Sequence, residues 1–146
     1  MSAFLLDVNV LIALVWPEHS GHRLVQRWFA RTGGRRWATC PFTEAGFVRI
    51  LSNPAFSPRA VSPVEAIEAL RANTGRPGHE FWSDDAGYGE AVQSFQARIV
   101  GHQQVSDAYL VGLALRKRGR LATLDRGILD LLHEHPGQDI VELIAG

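Results

Sequence analysis

Apolar residues along the chain alternate between short solid runs and helically spaced stripes. The run Ala3 to Leu6, closed by Asp7, reads as a buried strand, and Asn9 to Val15 continues it as a short helix that Pro17 stops. Ser20 is placed to cap a helix carrying Leu24, Val25, Trp28 and Phe29, ended by Gly33 and Gly34; a strand from Arg36 to Cys40 follows. Thr43 opens the next helix, with Glu44 in its first turn, and Asn53-Pro54 ends it. Ser62-Pro63-Val64-Glu65 is a capping box with proline at the first helical position, which predicts a helix from Ser62 to Asn73.

The second half repeats the alternation. A short strand is expected at Glu80 to Trp82 and a helix from Ala86 to Arg98, weakened at its start by Gly87 and Gly89. A helix from Val105 to Arg118 carries Asp107 in its first turn, with Gly119 as its stop. The strand Leu121 to Leu124 leads directly into Asp125, and a short helix from Gly127 to His133 precedes a last strand, Ile140 to Ile144. Strands alternating with helices imply an α/β fold of three layers, a central parallel sheet flanked by helices on both faces.

Length and composition narrow the picture. The 146 residues fit one domain, 1–146, large enough to bury about two thirds of the unfolded chain's surface. The single cysteine, Cys40, excludes an internal disulfide and a multi-cysteine zinc site, which favours a reducing, cytoplasmic setting. No apolar run nears membrane-spanning length, and Asp7 interrupts the apolar start. Net charge is zero, so composition gives no general support for nucleic-acid binding. Fourteen of the fifteen basic residues are arginines, clustered at Arg31, Arg35 and Arg36 and again at Arg116 to Arg120. Guanidinium groups suit phosphate contacts, but cations at helix ends are equally a response to the helix dipole.

The acids carry the chemistry. Ligands of open parallel sheets bind beyond the carboxyl ends of the strands, where Asp7 and Asp125 fall. Glu44 and Asp107, each in a helix's first turn, enter from the same edge. Taken singly, each acid reads as a turn former or a dipole complement; their common placement argues for a site. Mutual repulsion would raise some of their pKa values, and a divalent cation would relieve it. All-oxygen ligation favours Mg2+, with Mn2+ as a substitute, and such an ion can activate water against a phosphodiester. Thr123, two residues before Asp125, points to the same side and is an accessory candidate.

Four segments, Asp7-Val-Asn-Val-Leu-Ile-Ala-Leu, Thr43-Glu44-Ala45-Gly46-Phe47-Val48-Arg49, Ser106-Asp107-Ala108-Tyr109-Leu110 and Ala122-Thr123-Leu124-Asp125-Arg126-Gly127, together resemble the PIN-domain family, and more narrowly its VapC-type toxins of toxin–antitoxin pairs. The resemblance runs in order over nearly the whole chain. It implies a Mg2+-dependent endoribonuclease acting on RNA, with Asp7, Glu44, Asp107 and Asp125 as catalytic and metal-binding acids. It also implies homodimerisation and neutralisation by a cognate antitoxin. The stretch Phe56 to Asp85 matches no motif.

Other residues are open to plainer readings. His19 and His22 have a metal-like spacing without further ligands, Trp28 at helical spacing reads as core, and Arg49 and Arg126 lie near motif segments. Trp16, Trp37 and Trp82 could stack on unpaired bases. Two alternatives stand beside the nuclease. One is a module that binds RNA or protein without cutting. The other is a haloacid dehalogenase-like phosphatase, suggested by Asp7-Val-Asn9-Val, although Asn9 stands where that chemistry wants an acid and Lys117 is the only lysine.

Overall fold

The computed structural model describes residues 2–146. Five strands, β1 (Phe4–Leu6), β2 (Trp37–Thr39), β3 (His79–Phe81), β4 (Arg120–Thr123) and β5 (Val141–Leu143), form one sheet in the order β3-β2-β1-β4-β5. Every pairing is parallel. Such strands need crossover connections, and helices supply most of them: α1 (Val8–Val15), α2 (His22–Arg31), α3 (Pro41–Leu51), α4 (Pro63–Thr74), α5 (Tyr88–Val92) and α6 (Val105–Arg116).

Period-two alternation divides the strands between two cores. Phe4, Leu6, Trp37 and Ala122 face α1 to α4, packing with Val10, Leu14, Val25, Phe47 and Ala66. Leu5, Ala38, Leu121 and Val141 face α5 and α6, packing with Val92, Ala108, Val111 and Leu113. The expected three layers are present, with β1 at the centre of the sheet. Chain connections run to β2 on one side of β1 and meet β4 on the other, so the order reverses between β1 and β4. That reversal opens a crevice beyond their carboxyl ends.

Several expectations need correction in detail. Ser20 does not cap α2: the helix begins at His22, Gly21 takes the cap position, and no side chain bonds there. The next helix opens at Pro41 rather than Thr43, whose hydroxyl instead accepts from the Cys40 backbone N–H. The helix foreseen from Ala86 to Arg98 is one short α-helical stretch, Tyr88–Val92, followed by a 3-10 segment, Gln93–Arg98, with Phe95 at a non-helical φ of −137°. The segment after Asp125 is likewise 3-10, Arg126–Leu132.

Gly119 does not supply the left-handed residue that ends α6. Arg118 takes it, at φ 55°, and the Gly119 and Arg118 N–H groups bond back to the carbonyls of Ala114 and Leu115. Gly119 is required for another reason: a Cβ there would stand 2.4 Å from the Trp82 ring and 2.8 Å from the Ala3 carbonyl oxygen. The capping box of α4 is as the sequence indicates, with Ser62 and Glu65 bonded reciprocally.

Candidate active site

Asp7 follows β1 directly and caps α1. Its Oδ1 accepts from the Val8 N–H at 2.7 Å, and its Oδ2 accepts from the Thr123 hydroxyl at 2.8 Å. The same hydroxyl accepts from the Asp125 N–H at 3.0 Å, so Thr123, wholly buried at the end of β4, ties the ends of both strands together. Asp125 caps the following 3-10 turn through Oδ1, which accepts from the Gly127 N–H. Asp107 stands in the first turn of α6, whose amino end lies at this edge because a crossover helix runs against the strands.

Asp7 and Asp107 both feel the charge of Asp125, and Asp107 also that of Asp7. Burial pushes the Asp7 carboxyl up, and the negative charge of Asp125 adds to this against the hydrogen bonds from Thr123 and Val8. Asp107 is pushed up to about 6, first by burial and then by Asp7 and Asp125. Among the described residues no arginine, lysine or histidine is ion-paired with any of the four candidate acids.

Glu44 reaches the same edge from the other helix layer. Gly46 lets α3 lie against α1, since a Cβ there would meet Cγ2 of Val8 at 2.8 Å. The Glu44 side chain is held on that face: Oε2 accepts from the Thr39 hydroxyl at 2.6 Å, and the hydroxyl lies 2.7 Å from Nε2 of His79. The three aspartates are thus gathered on the α6 side of the edge, while Glu44 is anchored to the end of β2.

Among the described residues no group of three or more His, Cys, Asp or Glu side chains is placed to hold a metal ion. An open arrangement of hard oxygen donors suits Mg2+, which keeps several waters and is bound through one or two carboxylates together with substrate phosphate. The chemistry of these carboxylates, hard oxygen donors that crowd one another, is of the kind such an ion takes, and a cation would relieve the repulsion among the aspartates.

The remaining candidates have structural roles. His19 Nδ1 accepts from the Gly21 N–H, and His22 Nδ1 contacts the Ala13 carbonyl. Trp28, Trp37 and Trp82 are buried, and the Trp28 N–H donates to Glu142. Cys40 is buried and free. Arg116 and Lys117 pair with Asp85, and Arg116 also with Glu90, so the charge of these two is spent locally. Sequence reasoning passed over Thr39 and His79, since nothing in the sequence links either of them to Glu44.

A family model for the PIN domain matches residues 4–132, from β1 through the 3-10 turn after Asp125. The chain belongs to the PIN-domain family. Its similarity to curated VapC ribonucleases places it among the VapC type. It is 42% identical over 141 residues to "Ribonuclease VapC38" of Mycobacterium tuberculosis, covering 97% of both chains. It is 44% identical over 126 residues to "Ribonuclease VapC39" of the same organism, covering 86% of this chain and 91% of the relative. A solved structure of VapBC2 from Rickettsia felis, bound to a DNA fragment from their promoter, matches with a TM-score of 0.63 over 98% of this chain and 99% of that one. At 13% identity, that likeness speaks for the PIN fold alone. The phosphatase alternative loses its ground here: Lys117 is paired with Asp85 at the carboxyl end of α6, away from the acids.

Proposed function

We propose that the chain is a metal-dependent endoribonuclease, the toxin of a toxin–antitoxin pair, with Asp7, Glu44, Asp107 and Asp125 holding Mg2+ at the β1/β4 crevice. The observation that carries this reading is the shared edge of Asp7, Asp107 and Asp125, where the charge of Asp125 adds to the raised pKa of Asp7 and the charges of Asp7 and Asp125 add to that of Asp107, with no basic side chain ion-paired to them among the described residues. The naming of the VapC relatives as ribonucleases supports the choice of substrate. A bound divalent ion would supply positive charge against the attacked phosphate and make a water more acidic.

The chain's own residues do the positioning. Asp7, fixed at both oxygens, is the rigid member of the site; Asp125 is held through its Oδ1 and through its backbone by Thr123. Asp107 has no side-chain hydrogen bond among the described residues. Its carboxyl is pushed up to about 6 by burial and by its two acidic neighbours, and a bound cation would favour its ionised form.

The same reading includes two protein partners, a cognate antitoxin and a second copy of the chain. Exposed Phe42, Tyr88 and Val105, around a groove of about 380 Å³ that reaches Ser106 beside Asp107, offer the apolar surface such contacts use. We place the protein in the cytoplasm on the same reading; no helix among the described residues is long and apolar enough to cross a membrane.

The test is incubation of purified protein with a mixed cellular RNA pool, with Mg2+ and with chelator. Discrete fragments formed only with the metal support the nuclease. RNA retained by the protein yet left whole under both conditions supports the non-cleaving module instead.

A further inference from the structure

Glu44 hangs from a chain of two hydrogen bonds that begins on the edge strand. Side chains two apart on a strand share a face, so Trp37 and Thr39 lie on one side of β2. Parallel register sets Trp37 opposite His79, and their ring centroids are 4.7 Å apart at 60°. Packed there, His79 holds Nε2 at 2.7 Å from the Thr39 hydroxyl oxygen, which is itself 2.6 Å from Oε2 of Glu44.

The proton inventory fixes the direction. A threonine hydroxyl has one proton to give, and an ionised carboxylate can only accept. Thr39 therefore donates to Glu44 and accepts from His79, whose ring must carry a proton on Nε2. Thr39 is wholly buried, so water does not compete at the hydroxyl, and hydrogen bonds to a carboxylate are of the stronger kind. The device repeats the one at Asp7: both strands flanking β1 end in a buried threonine that donates to one oxygen of an acid. Asp7 has a second hold in the Val8 N–H, whereas Glu44, on a longer side chain, makes no other hydrogen bond or ion pair among the described residues.

We propose that His79 and Thr39 are positioning residues for Glu44: His79 donates from Nε2 to Thr39, Thr39 donates to Oε2, and Oε1 remains as the oxygen with which Glu44 serves the acidic edge. The proposal rests on the reading of Glu44 as a metal-site acid. Neither residue touches metal or RNA in this scheme; both act through the carboxylate. Loss of partners that orient a ligand costs roughly 10- to 100-fold in metal affinity or activity.

The experiment measures Mn2+ affinity of the purified chain without RNA, by the electron paramagnetic resonance signal of free Mn2+. It compares the parent, Glu44→Gln, Thr39→Val, Thr39→Ser, His79→Leu and His79→Gln. Thr39→Val and His79→Leu are expected to weaken Mn2+ binding about tenfold or more. Thr39→Ser keeps the hydroxyl, and His79→Gln puts an amide N–H where Nε2 stood, so both retain most of the affinity. Proton NMR of the unmodified protein should show an exchange-protected Nε2–H of His79 that disappears in Thr39→Val. If Glu44→Gln weakens binding while Thr39→Val and His79→Leu bind like the parent, the positioning role is overturned and Glu44 stays a ligand. If Glu44→Gln itself binds like the parent, the metal reading of Glu44 fails and takes the proposal with it. Absence of the protected Nε2–H overturns the proposal whatever the variants do.

Discussion

The Thr123 hydroxyl donates to Asp7 Oδ2 at 2.8 Å and accepts from the Asp125 N–H at 3.0 Å. One buried side chain thereby sets the spacing of two acids that lie 118 positions apart in the chain. Thr123→Val keeps the shape and removes both bonds, leaving an oxygen of a buried carboxylate without its donor. RNA cleavage, read as kcat/KM, should fall about 10- to 100-fold, and Thr123→Ser should recover most of it. Equal activity in Thr123→Val and the parent would remove Thr123 from the site.

Asp107 makes the site pH-sensitive in a definite direction. Its pKa is raised from 3.8 to about 6 on folding, so across that window the folded chain holds a proton that the unfolded chain has released. Stability from this group is therefore present at low pH and lost as pH rises through the window, and the raised Asp7 acts in the same sense. Asp107→Asn should melt like the parent near about pH 4 and be more stable at pH 7 by about 1 to 2 kcal/mol, after allowance for solvent screening. Added Mg2+, which binds the folded parent, should narrow the gap. Thermal melts of both proteins at several pH values check this, and a gap independent of pH would contradict it.

Arg118 carries backbone strain that the fold does not need. A non-glycine residue in the left-handed region costs about 1 kcal/mol, and among the described residues the Arg118 side chain makes neither ion pair nor hydrogen bond. Arg118→Gly should therefore raise the melting temperature by a few degrees. Gly119→Ala should lower it sharply, since its Cβ would collide with Trp82 and the Ala3 carbonyl. A loss of stability in Arg118→Gly would mean that its side chain does more than this structure shows.

Gly46→Ala should cost about 1 to 3 kcal/mol, because the new methyl meets Cγ2 of Val8 at 2.8 Å where α3 crosses α1. The double variant Gly46→Ala, Val8→Ala removes the colliding atom and should regain much of that loss in a denaturant titration. No recovery would place the cause of the strain elsewhere.

The fold was largely legible because its signals are local. Solid apolar runs marked the strands, the Ser62/Glu65 box marked α4, and Asp7 and Asp125 were visible as acids closing apolar runs. Errors came where local signals competed. Gly87 and Gly89 weakened a helical pattern that broke at Phe95, and Ser20 looked like a cap although the chain continues through Gly21 before turning helical.

The site was legible as a set of acids but not as a geometry. Which face of the sheet α3 covers decides that Glu44 is tied to Thr39 while the aspartates cluster with Thr123, and no spacing along the chain records that. His79 stood alone in the sequence because its partner, Thr39, is 40 residues away on a neighbouring strand.

On the proposed function, carboxylates repelling one another at the β1/β4 edge are the machinery of RNA cleavage. Cleavage by Asp107→Asn, measured with Mg2+ on the preparation used for its melts, tests it most directly. The variant is expected to be folded and more stable than the parent at pH 7, with kcat/KM on RNA lowered at least about 100-fold. A variant that is equally well folded and cuts RNA at the parent's rate would contradict it.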